Sequence, residues 1–265
     1  MANIFLLFSF ILGTIIGSFL NVVSFRYNTG LTLRGRSKCF SCDKTLTWIE
    51  LFPILSFILQ KGSCRKCKSK ISWQYPLVEF FSGILFILVF YFFPPVSIEA
   101  GFVTIFYLFI SCLLVVITIY DIKHKIIPDP LVYTFIIVAL ARLFIAPDLS
   151  LIFPSAITLL SGPLLALPFL LLWLVSRGKW MGFGDVKLVL GIGWVLGLGA
   201  GISAVILAFW IGAAISLVWI LTVVKKFKKH EEIPFGPYLV LGMYIVLFFN
   251  IEVFDWRSFL DLLSL

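Results

Sequence analysis

Gly182-Phe183-Gly184-Asp185-Val186-Lys187 opens onto residues 188–224, a run without one Asp, Glu, Lys or Arg. A membrane span takes roughly 20 apolar residues, so this run holds two short spans with Gly197, Gly199 and Gly201 as the turn between them. Outward from it, residues 1–25, 80–98, 100–120, 149–176 and 233–251 are equally free of charge, and 130–146 is interrupted only by Arg142. Hydrophobic residues make up 61% of the chain and charged residues 13%, against about a quarter charged in soluble domains. These runs predict an all-α polytopic membrane protein of about eight transmembrane helices. A signal peptide competes for residues 1–25, but they lack a basic leading region and a small-x-small cleavage site, so a first span is expected there.

The net charge of +8 would by itself suit a nucleic-acid binder; its distribution argues for no nucleic acid and for membrane lipid instead. Between successive spans, Lys and Arg number ten in residues 26–70, none, two (Lys123, Lys125), none, three (Arg177, Lys179, Lys187), none and four (Lys225, Lys226, Lys228, Lys229). Every second loop is basic, which by the positive-inside rule places those loops in the cytoplasm and both termini outside. The lysines of 225–229 are expected to anchor a helix end at anionic lipid.

Two carboxylates meet that cytoplasmic edge. Asp185 enters the membrane behind Gly182 and Gly184, whose missing Cβ atoms give backbone freedom and room for an extended strand. Asp121 follows the run 100–120, at a helix end where the dipole disfavours negative charge, so capping does not explain it. Carboxylates at a membrane edge are costly and mark a functional site by default. Held close they do not both ionise; one keeps its proton, and the pair can position and activate a water. Asp185, at a helix N-terminus, is the better candidate for the ionised partner. Asp129, between Pro128 and Pro130, reads as an N-cap, and His124 as a solvated loop residue.

The first basic loop carries Cys39-x2-Cys42 and Cys64-x2-Cys67, with 21 residues between the pairs. Two such knuckles at this distance can wrap one tetrahedral Zn²⁺, ahead of an iron site or a redox pair, and four thiolates leave no open position, so a structural site is expected. A reducing cytoplasm disfavours disulfides. Cys112, alone in a span, is a packing residue. Residues 49–59 are apolar but half a span long and are expected along the interface. Glu79 starts the second span, where capping and ligand binding are equally open. For Gly13, Gly17 and Ser18, close helix packing is expected; Asn21 suits an interhelical hydrogen bond or a substrate contact.

In chain order, Gly17-Ser18-Phe19-Leu20-Asn21 through Arg26, the paired knuckles, Tyr75-Pro76-Leu77-Val78-Glu79, Asp121 with Ile127-Pro128-Asp129, Gly182 to Asp185, and Ile233-Pro234-Phe235-Gly236-Pro237 resemble the type IV prepilin peptidases over nearly the whole chain. The resemblance implies an aspartic membrane protease of the Gly-x-Gly-Asp type in the bacterial inner membrane, removing the basic leader of prepilins and pseudopilins at the cytoplasmic face. Asp121 and Asp185 match the catalytic pair, with Gly182, Gly184, Asp129 and Glu79 in support. Members with the zinc loop also methylate the new N-terminal amine from S-adenosylmethionine. Phe40 departs from the proline common at its position, which bears on the local turn alone. No Rossmann-type glycine fingerprint is present, so the methyl donor is expected at the zinc loop, with Glu79 engaging its sulfonium or taking a proton from the amine.

The resulting organisation is a first span (1–25), a cytoplasmic four-cysteine zinc loop with an interfacial segment (26–75), a membrane peptidase core (76–251) and a short tail (252–265). A metal or proton transporter is the rival class, but its carboxylates belong near the midplane, and here all lie at span ends. A silent scaffold would tolerate Asn at both aspartates.

Overall fold

The computed structural model describes residues 2–30, 32, 35–146, 148–222 and 234–253; the expected lysine anchor at 225–229 and nearly all of the tail lie outside them. The regular elements described are all helical. The chain divides into two compact units, Met1–Val116 and Ile117–Leu265.

The first unit holds α1 (Ala2–Arg26), a 3₁₀ turn (Trp48–Leu51), α2 (Leu55–Leu59), α3 (Gln74–Phe92) and most of α4 (Ile98–His124). Lipid tails are as apolar as leucine, so membrane helices associate through close packing, and small residues permit it. A Cβ on Gly13 would lie 2.7 Å from the Ser82 carbonyl and 2.8 Å from Gly83 Cα, and one on Gly83 would strike the Phe10 ring at 2.6 Å. Phe5–Phe90 and Phe10–Phe80 ring contacts flank that approach. The packing role expected of Gly13 and Gly17 is therefore found, with α3 as the partner.

The second unit continues with α5 (Asp129–Arg142), α6 (Ala156–Ser176), α7 (Phe183–Leu196), α8 (Leu198–Thr222) and α9 (Gly236–Phe249). Helix α7 packs against the other four. A Cβ on Gly191 would collide with the Phe135 ring, and one on Gly193 would lie 2.7 Å from Gly162 Cα. Ser161 donates to the Gly193 carbonyl at 2.9 Å and Trp194 Nε1 to the Leu159 carbonyl at 2.8 Å. The break between α7 and α8 falls at Gly197, whose φ of +79° suits glycine; Gly199 and Gly201 lie within α8 rather than in the expected turn.

Eight of these helices occupy the eight expected places, but among the described residues α1, α3, α4, α6 and α8 alone are long and apolar enough to cross a membrane. Helices α5, α7 and α9 have 14 residues each, about 21 Å at ~1.5 Å per residue, short of a ~30 Å hydrocarbon layer. Short helices at membrane depth are tolerated where protein encloses them. The packing around α7 meets that condition.

Candidate active site and metal centre

Asp121 lies in the last turn of α4 and is 4% exposed; Asp185 is the third residue of α7 and is 9% exposed. Ile127 closes the distance between their segments. A Cβ on Gly184 would lie 2.7 Å from Ile127 Cβ, while one on Gly236 would lie 3.3 Å from Ile127 Cδ1 and 2.6 Å from Asp121 Oδ2. The carboxylates are near enough to interact electrostatically. Gly236 N–H also donates to Asp121 Oδ2 at 3.1 Å, so the amide donor goes to Asp121 rather than to the carboxylate that the helix dipole favours. Pro234-Phe235-Gly236-Pro237 has no role assigned to it from the sequence; a glycine beside a proline at the head of a helix was the signal for such an approach.

Two expectations about neighbouring residues change. Gly182 is the N-cap of α7 at φ −71° and ψ 146°, ordinary extended backbone, so it does not need glycine's conformational freedom. Asp129 is the first residue of α5, and Pro128 holds the cap position. Its Oδ1 instead pairs with Lys187 Nζ, which also lies over the Tyr133 and Phe183 rings. Asp129 is thus tied to the residue two positions after Asp185 and not to the orphan amides of its own helix.

Cys39, Cys42, Cys64 and Cys67 place their Sγ atoms within 4.8 Å of one another, with Cys39 and Cys67 3.7 Å apart. A zinc tetrahedron with Zn–S of about 2.3 Å has S–S edges of about 3.8 Å, so the cluster fits the ion. Its two halves are built alike. Cys39 N–H donates to Lys44 O and Asp43 N–H to Cys39 O; 25 positions later Cys64 N–H donates to Ser69 O and Lys68 N–H to Cys64 O. Asp43 and Lys68 both take positive φ, at 50° and 58°. The Ser41 amide, then the Ser69 hydroxyl and the Cys42 amide, hold the Cys39 thiol down to about 6, whereas Cys42, though the Lys44 amide lowers it, is pushed up to about 11 by burial and by hydrogen bonds with the other thiols; a bound cation is what would make all four thiolates. Lys44 continues from the first knuckle into an ion pair with buried Glu50 at 2.6 Å. Phe40 packs on Phe25 at the end of α1, with centroids 4.5 Å apart.

Glu79 is not on the first turn. Helix α3 starts at Gln74, leaving Glu79 a turn deeper and 7% exposed. Capping is thereby excluded. Its Oε2 accepts the Ile54 amide at 2.7 Å, and the Ser18 hydroxyl also bonds the carboxylate. Asn21, 1% exposed, donates through Nδ2 to the Tyr75 carbonyl at 3.2 Å, which is the interhelical hydrogen bond anticipated for it.

The family model described as the bacterial peptidase A24 N-terminal domain matches residues 11–93, and that of the type IV leader peptidase family matches residues 108–217. A prepilin leader peptidase/N-methyltransferase of Bacillus subtilis (strain 168) is 33% identical over 88% of this chain and 90% of its own length. Proteins of the same description from Burkholderia pseudomallei (strain K96243), 30% identical over 92% of this chain and 85% of the relative, and from Aeromonas hydrophila, 28% identical over 83% and 74%, are also similar. No solved structure matches.

Proposed function

Because this chain belongs to the type IV leader peptidase family, we propose that Asp121 and Asp185 form the dyad with which it removes the basic leader of prepilins and pseudopilins. The enzyme is a multi-pass membrane peptidase that also carries methyltransferase activity. In the proposed cleavage one carboxylate takes a proton from a water, which attacks the scissile carbonyl, while the other donates a proton as the peptide bond breaks. The observation that carries this reading is the convergence of Gly184, Ile127 and Gly236 around two buried carboxylates from distant parts of the chain. Gly182 leaves open space beside them, its nearest neighbours to an added Cβ being 4.0 Å away. An extended peptide fits such a gap.

A prepilin is itself an apolar helix with a positive leader, and the positive-inside rule puts that leader on the same face as the basic loops. Substrate then enters sideways from the bilayer with the active site toward the cytoplasm. Eight spans complete the arrangement, with the short α7 set among α5, α6, α8 and α9. Zinc held by Cys39, Cys42, Cys64 and Cys67 folds the loop and takes no part in bond breaking. S-adenosylmethionine is the proposed donor and supplies an electrophilic methyl group. A transporter gains no support from the relatives described above, each named for peptidase and methyltransferase activity. Purified protein incubated with a prepilin and S-adenosylmethionine should yield a leaderless chain heavier by one methyl group at its N-terminus. Intact prepilin, together with ion flux in proteoliposomes, would overturn the proposal.

A further inference from the structure

Helices α1 and α3 enclose polar groups whose hydrogen-bonding capacity the chain does not fill. Glu79 has no ion-pair partner among the described residues. Asn21 Oδ1 is buried without a partner, and so is the Ser82 hydroxyl. These groups share one seam. A Cβ on Gly17, one turn before Asn21, would lie 3.0 Å from Glu79 Cα and 2.9 Å from Ser82 Oγ, while Asn21 itself binds Tyr75, one turn before Glu79. A buried acceptor left unpaired is destabilising, the more so when charged. The chain retains Asn21 Oδ1 unpaired, and the Ser82 hydroxyl with it, beside a carboxylate that has no ion-pair partner among the described residues.

One of the two donors that reach Glu79, the Ile54 amide, is held at a cost as well. Ile54 takes φ +60° and ψ −53°, a conformation that is a true outlier for a β-branched residue and a costly one. Its N–H nevertheless points at Glu79 Oε2. A short strained turn therefore supplies one of the two donors on the carboxylate, the Ser18 hydroxyl being the other, and the strained amide is a plug that a better donor can displace.

We propose that this seam receives the free N-terminal amine of the processed substrate, with the Asn21 amide oxygen and the Glu79 carboxylate as its acceptors. An ammonium group brings three N–H donors and a positive charge, matching both deficits, whereas a sulfonium carries charge but no N–H and leaves Asn21 Oδ1 unpaired. The proposal rests on methyl transfer by this chain. The ammonium gives one proton to Glu79; the amine lone pair then forms the N–C bond as the S–C bond of a sulfonium donor breaks, the bonding pair remaining on sulfur. Glu79 acts on the amine directly, and Asn21 positions it.

The test uses full-length enzyme, a leaderless pilin peptide with a free amine and its N-acetylated counterpart. Wild type should bind the free-amine peptide at least about tenfold more tightly, a charged and hydrogen-bonded difference of the usual size. Asn21→Leu and Glu79→Gln should reduce that preference to within about twofold of unity. In methyl transfer both should raise KM for the leaderless peptide about tenfold or more while KM for S-adenosylmethionine and the rate of prepilin cleavage stay within about twofold, the latter serving as the check on folding. A rise in KM for S-adenosylmethionine instead would give the seam to the sulfonium and overturn the proposal. So would weaker cleavage with methylation intact, which would assign it to a lysine of the leader. Equal binding of the two peptides by wild type that still methylates refutes the amine site alone; a wild type that methylates nothing removes the underlying reading with it.

Discussion

Gly236 is confined to a hydrogen side chain by Asp121, whose Oδ2 would sit 2.6 Å from an added methyl. Gly236→Ala must therefore push the carboxylate aside, and a displacement of about 1 Å at reacting groups can cost on the order of 100-fold in rate. Gly182→Ala meets open space at an unstrained φ and should keep prepilin cleavage within several-fold of wild type; cleavage rates of the two variants side by side check the contrast. Equal losses would mean that the open space beside Gly182, and not its missing Cβ, matters to the substrate. Asp129→Asn removes one charge of a pair whose carboxylate side chain is 63% exposed, worth ~0–1 kcal/mol, so cleavage should fall less than about fivefold, with folding intact. Asp121, Asp185 and Gly184 were legible as candidates because each breaks a rule of its surroundings. Gly236 and the Lys187–Asp129 pair were not, since their partners lie 115 and 58 residues away and no local pattern encodes such distances.

At the scale of elements, the two knuckles were readable from cysteine spacing, but their likeness extends further, into turn hydrogen bonds and a positive φ at Asp43 and Lys68. Asp and Lys in equivalent positions conceal that repeat from a reading of residue types. Because metal binding supplies much of the folding energy of small modules of this kind, Cys39→Ser with Cys64→Ser should abolish zinc in elemental analysis of the purified protein, where wild type should carry one ion per chain. Unchanged stoichiometry would refute the four-thiolate site. Helix α7 posed the opposite difficulty. Its uncharged run predicted a span, yet 14 residues at the centre of four neighbours form a short enclosed helix, and hydropathy cannot distinguish lipid from protein as the apolar partner. The glycines carried that information: Gly191→Ala would force the Phe135 ring to move, and overpacking of this kind costs about 1–3 kcal/mol. A lower unfolding temperature in detergent, with zinc content unchanged, is the expected result.

Across the whole molecule, the family match at 11–93 lies within the first compact unit, Met1–Val116, and all but the start of the match at 108–217 lies within the second, Ile117–Leu265. The four-cysteine module and the Asn21–Glu79 seam belong to the first, Asp121 and Asp185 to the second. The all-helical class and the order of the helices were legible because uncharged runs and basic loops alternate along the chain; helix lengths were not, because residue charge marks where a helix meets water and says little about how a glycine or proline divides it. Alternating charge also predicts topology: a single cysteine introduced at Arg177 should resist a membrane-impermeant maleimide added outside intact cells, whereas one at Pro95 should react. The central claim is that one pair of buried carboxylates performs the cleavage. Its most direct measurement is the mass and N-terminal sequence of a prepilin after incubation with wild type, Asp121→Asn and Asp185→Asn. Loss of either acid–base partner costs at least ~100-fold, so both variants should return the prepilin intact while still methylating a leaderless chain, and either one retaining more than about a tenth of wild-type cleavage would contradict the dyad.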